Sequence, residues 1–113
     1  MATETILKAI AAHIGEKEVL SQMKEEAAEL IVAANKARRA SDDLNPTPVS
    51  REEAEEMILE ELADLSNCIV ALGLDTPMNL LKVKGIMNWK ACRWAESVGL
   101  VFEENNEVDP SAE

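Results

Sequence analysis

Aromatic side chains are scarce in this sequence: one Phe, two Trp and no Tyr among 113 residues. With four Gly and four Pro against an abundance of Ala, Leu, Glu and Met, the composition favours helices over strands. Basic residues are also few, 11 Lys and Arg against 22 Asp and Glu, for a net charge of −11. That balance argues against a nucleic-acid backbone or an anionic membrane as partner, since both require a basic footprint. The single histidine, His13, leaves no plausible Ser/His/Asp or Cys/His nucleophile set and no Glu-x-x-His di-iron motif. The two cysteines, Cys68 and Cys92, fall within helical patterns at no metal-ligand spacing, which fits a reduced, cytoplasmic setting. No apolar run is long enough to span a bilayer. The stretch from Ile6 to Ile14 is interrupted by Lys8 and His13 and lacks a small-residue cleavage site, so no signal peptide is expected. The glycines form no phosphate-cradling loop, and neither an internal repeat nor a heptad run is sustained.

What the chain does have is four helical segments, expected at about 4–14, 17–40, 51–72 and 77–98. Thr3 is placed to cap the first, whose inner face would carry Ile6, Leu7, Ile10, Ala11 and Ile14 up to a stop at Gly15. The second is expected to bury a stripe of Leu20, Met23, Ala27, Leu30, Ile31 and Ala34. It ends in Lys36, Arg38 and Arg39, suited to the negative pole of the helix dipole. The loop SDDLNPTPVS, residues 41–50, reads as a tether, with a lid as the alternative. Ser50 with Glu53 is a capping-box pattern at the start of the third helix, and Gly73 closes it. Thr76 and Pro77 open the fourth. The whole reads as one all-α, four-helix bundle-like domain over residues 1–102 with an acidic tail, 103–113. A core of this size is modest, so oligomerisation would help it.

Two acidic clusters stand out, Glu25-Glu26-Ala27-Ala28-Glu29-Leu30 on the second helix and Glu60-Glu61-Leu62-Ala63-Asp64-Leu65 on the third. In each, two carboxylates three residues apart share one helix face, Glu26 with Glu29 and Glu61 with Asp64. Glu61 falls inside the apolar arc of Met57, Ile58, Leu62, Leu65, Cys68, Ile69 and Leu72, and Asp64 lies on its edge. Glu26 lies at the margin of its own stripe beside Val19, Ala33 and Ala37, and Glu29 one step further out. Carboxylates driven toward a core are costly unless neutralised. Both pairs are mid-helix, away from the first turn where the dipole favours acids. Glu-x-x-Glu is common on solvated helices, and Glu25, Glu52, Glu53, Glu55 and Glu56 are read in that way. Oxygen-only donor sets select hard cations, Mg²⁺ above all with Mn²⁺ as a substitute, and Mg²⁺ commonly bridges a few carboxylates to substrate phosphates. Attack of water on a phosphoryl group is the implied chemistry. Lys36 lies on the side of Glu29, two turns on, where a role toward substrate is open.

The paired motif resembles the MazG-like all-α nucleoside triphosphate pyrophosphohydrolases, a superfamily that includes the dimeric dUTPases and dCTP pyrophosphatases. Gly15, Lys36 and the element Lys90-Ala91-Cys92-Arg93 are similar to further family features, and the likeness spans roughly residues 13–96. The resemblance implies hydrolysis of an NTP or dNTP to NMP and pyrophosphate in a nucleotide-housecleaning role. It further implies Mg²⁺ on Glu26, Glu29, Glu61 and Asp64, phosphate contacts from Lys36, Lys90 and Arg93, and assembly as a homodimer or dimer of dimers. Asn67, one turn beyond Asp64, is added as a residue able to support the metal shell or touch substrate. The 41–50 linker is longer than in compact members, and Ser97 stands near where a further basic residue is usual. A helical interaction or nucleotide-binding module without turnover is the reading from a different class.

Overall fold

A computed structural model describes residues 2–42 and 49–102. Four helices and no strands occur among them: α1 Thr3–Ile14, α2 Glu16–Ala40, α3 Arg51–Ala71 and α4 Pro77–Ser97. The chain divides into two compact units, Met1–Leu74 and Asp75–Glu113, where the sequence reading expects one domain over 1–102. Most of the loop read as a tether or lid, at 43–48, and the acidic tail at 103–113 lie outside the described residues. None of the described helices is long and apolar enough to cross a membrane.

Two of the four helix starts follow from local chemistry. The backbone N–H of Glu53 donates to Ser50 Oγ at 3.1 Å, and that of Asn79 to Thr76 Oγ1 at 3.1 Å, so each hydroxyl satisfies an orphan donor of the first turn. The first helix differs from expectation. Thr3 is already helical, and Ala2 takes the cap position without a side-chain bond. Between α1 and α2 a single residue, Gly15, turns the chain at φ +92°, a conformation that suits glycine and lets two helices follow one another without a loop.

In the first unit α2 and α3 form the most extensive helix pair, and α1 packs against both. They run antiparallel: going back along α2 from Glu26 to Val19, the neighbouring residues of α3 advance from Asp64 to Ala71. The buried and half-buried residues of α2 are Val19, Met23, Glu26, Leu30, Ala33, Ala37 and Ala40, with Lys36 beside them. This is not the expected stripe. Leu20 and Ile31 are exposed while Val19 and Ala33 are buried, so the helix is rotated toward the face that holds Glu26. On α3 Ala54, Ile58, Glu61, Leu65 and Cys68, with Leu72 at its C-cap, form the corresponding set; Met57, Ile69, Val70 and Ala71 are half-buried beside them, and the expected Leu62 is exposed.

Both sets step by alternating threes and fours, the spacing of a knobs-into-holes seam. A heptad pattern is therefore present after all. It is hidden in the sequence because one seam position on each helix is an acid, and several others are alanine. The small residues bring the helices together: Ala33 is 1 % exposed and Ala54 fully enclosed. Added volume at either has nowhere to go, and Ala33→Leu or Ala54→Leu should destabilise the protein by about 1–3 kcal/mol. Urea denaturation of the metal-free variants checks this.

The second unit holds α4, which has no buried residue. After α4 the backbone N–H of Leu100 donates to Ala95 O at 2.8 Å, and Phe102 lies with Asn88, Ala91, Cys92 and Ala95 around a small cavity. Trp94 is 74 % exposed, and Leu81 and Met87 are also open to solvent.

Candidate metal centre

The seam brings three of the four predicted carboxylates together. Glu26 from α2 and Glu61 and Asp64 from α3 each offer an oxygen, and the three oxygens lie within 4.8 Å of one another. Around Mg²⁺, with bonds of about 2.1 Å, ligand oxygens are at most about 4.2 Å apart, so small side-chain rotations close the set on a cation. Glu26 and Glu61 are half-buried and Asp64 is exposed. Glu29, the fourth predicted ligand, is exposed and outside this group. Its charge still reaches Glu61 as one of the influences on that residue's ionisation.

The electrostatics are those of acids held close together. Glu61 is pushed up to about 7, first by a hydrogen bond to Glu26 that it makes only when protonated, then by desolvation, then by the charges of Glu26, Asp64 and Glu29. Its Oε2 is buried and has no hydrogen-bond partner. A bound proton or a cation relieves that oxygen. Asp64 is also raised, mainly by desolvation, and then by its hydrogen bond with Glu26 and by the charges of Glu26 and Glu60. Glu26 goes the other way, lowered by the hydrogen bond from Glu61 and by one from Gln22, whose Nε2 donates to Glu26 Oε1 at 2.8 Å. The ion pair of Arg51 with Glu55, at 3.0 Å, lies elsewhere on the surface of α3.

Beside the acids an aliphatic recess of about 200 Å³ opens between the three helices. Leu7, Ile10 and Ile14 of α1 and Val19 of α2 form its apolar wall; Gln22, Glu26, Asp64 and Asn67 its polar edge. Ile10 and Ile14, expected on the inner face of α1, are each 44 % exposed because they line this recess instead of a closed core. Cys68 also lines it, its thiol pushed up by burial and then by the charges of Glu26 and Asp64, so it is held neutral.

The structure thus places Asn67 at the site, as one of the recess residues. Lys36 is ten residues beyond Glu26 on α2, about 15 Å along the helix axis, and does not touch the acids. Lys90 and Arg93 belong to the second unit, where Lys90 borders an apolar groove with Trp94 and Arg93 sits over the Trp89 ring, 5.4 Å from its centroid. His13 is exposed in the last turn of α1. Gln22 is the site residue that sequence reasoning missed. Its signal was present in the four-residue spacing to Glu26, at which a glutamine amide reaches an acid on the same helix face.

Comparison with protein-family models, curated proteins and solved structures gives no match to this chain.

Proposed function

We propose that the protein is a Mg²⁺-dependent nucleoside triphosphate pyrophosphohydrolase, converting an NTP or dNTP to the monophosphate and pyrophosphate. One observation carries this reading: carboxylates from two helices converge at a packed seam with an orphaned buried oxygen and, among the described residues, no cationic side chain paired with them. The donor set is all oxygen, the preference of Mg²⁺, with Mn²⁺ as substitute. Glu26, Glu61 and Asp64 would hold the metal, and Glu29 is proposed as a fourth ligand on the strength of its sequence position. The ion would offset the charge of the phosphates and make water a better nucleophile at neutral pH.

The chain's own residues would do the rest. The three acids would orient the polyphosphate by fixing where positive charge can sit. The aliphatic recess would take the uncharged nucleoside portion, with Gln22 and Asn67 at its polar edge. Lys36, Lys90 and Arg93 are proposed as phosphate contacts on the strength of sequence position. Assembly as a homodimer or dimer of dimers would cover apolar side chains such as Leu81, Met87 and Trp94 that one chain leaves exposed. A cytoplasmic, nucleotide-housecleaning role accords with this chemistry.

Incubation with a nucleotide panel and Mg²⁺ should release pyrophosphate and the monophosphate in equal amounts, and EDTA should abolish it. Release of orthophosphate alone would overturn the reaction class, and metal-dependent binding of nucleotides without turnover would leave a nucleotide-binding module.

A further inference from the structure

We propose that Gln22 is a charge-neutral positioning residue for the acidic centre, holding the Glu26 carboxylate in place for a divalent cation. The inference rests on the metal-binding reading above and goes beyond it in assigning a residue that is itself no ligand. Gln22 Nε2 donates to Glu26 Oε1 at 2.8 Å. The two residues are four apart on α2, so the helix presets their separation and the amide costs little to align. One Glu26 oxygen is thereby tethered, and the carboxylate is kept from swinging into solvent from its half-buried position on the seam.

The chemical type of the donor is what distinguishes this contact from an ordinary surface pair. A lysine or arginine at the same distance would order Glu26 too, but its charge would cancel part of the attraction for a cation. A primary amide orders the carboxylate and leaves the cluster's negative charge intact. No cationic side chain pairs with Glu26, Glu61 or Asp64 among the described residues. Gln22 also lines the aliphatic recess, so it stands at the boundary between the acids and the apolar wall.

The test is a titration of the metal-free full-length protein with Mn²⁺, following free Mn²⁺ by electron paramagnetic resonance, which requires no turnover. Gln22→Leu keeps the side chain's approximate size and removes the donor. Gln22 is exposed, so the variant should melt in the absence of metal within a few degrees of wild type. Its Mn²⁺ dissociation constant should rise by about 10–100-fold, the usual range when a partner that orients a metal ligand is lost. Gln22→Lys retains a donor but adds positive charge, and its affinity should fall by at least as much. If wild type binds Mn²⁺ and Gln22→Leu binds it equally well, the positioning role is wrong and the metal centre stands. Wild-type affinity in Gln22→Lys would overturn the requirement for a neutral donor. If wild type itself binds no Mn²⁺, the metal-binding reading and this inference fall together.

Discussion

Glu61→Gln should lose turnover by about a thousandfold or more while the metal-free protein becomes more stable than wild type at pH 8. The two effects share one cause. As an ionised group Glu61 carries a buried oxygen without a donor and faces the charges of Glu26, Asp64 and Glu29. The amide removes the charge and offers an N–H that can donate to Glu26, so the metal-free fold loses a repulsion and gains a hydrogen bond. The same change removes one of the three carboxylates that face one another on the seam. If the reaction runs through a cation held there, its contribution to charge neutralisation and to water activation disappears with the ligand. Asp64→Asn should lose turnover similarly but gain less stability, since Asp64 is exposed and has solvent to screen it. Pyrophosphate release and thermal melting on the same preparations decide the matter. A Glu61→Gln protein with wild-type turnover would remove the acid cluster from the chemistry.

The second large effect is a melting temperature that, without metal, falls as pH rises from about 5 to 8, and that Mg²⁺ restores. Glu61 is raised in the folded state, from 4.5 to about 7. A group with a raised folded pKa binds its proton more tightly when folded. The associated stability is complete below the unfolded value and lost as pH climbs through the folded one. Asp64, raised from 3.8, acts in the same direction from a lower starting point. Glu26 is lowered, so its contribution is present above 4.5 and is lost only as pH falls below that, on the acid side of this window. The slope between pH 5 and 8 therefore belongs mainly to Glu61, and Glu61→Gln should flatten it.

A divalent cation takes the place of the proton. At a Mg²⁺ concentration 100 times its dissociation constant, linkage adds about 2.7 kcal/mol, or roughly 10 °C in melting temperature for a chain of this size. The gain should be largest at pH 8 and shrink toward pH 5, where protons compete. Melting curves at three pH values with EDTA or Mg²⁺ test this. A Mg²⁺ response that is the same in wild type and in Glu61→Gln would place the cation elsewhere.

Sequence periodicity was enough to locate the helices and their boundaries to within a residue or so, because capping hydroxyls, glycine stops and helix-forming composition act locally. Ser50, Thr76 and Gly73 illustrate this. The pairing of Glu-x-x-Glu with Glu-x-x-Asp likewise marked the acids before any geometry was known, since carboxylates in mid-helix near an apolar stripe have no local reason to be there. The rotation of α2 was not available at that level. Counting bulky residues selects the face of Leu20 and Ile31, whereas close approach of two helices selects the face of Val19, Ala33 and Ala37, where small side chains let the backbones meet.

That choice of face decides the site. Turning α2 by the margin of its stripe carries Glu26 to the middle of the seam opposite Glu61 and Asp64, leaves Glu29 in solvent, and aligns Gln22 beside the recess. The amino-acid order thus determined which segments are helical and which acids are anomalous, through interactions no longer than one helical turn. Which acids share an ion-sized space, and which residue steadies them, was decided only when antiparallel packing brought side chains about forty positions apart into contact.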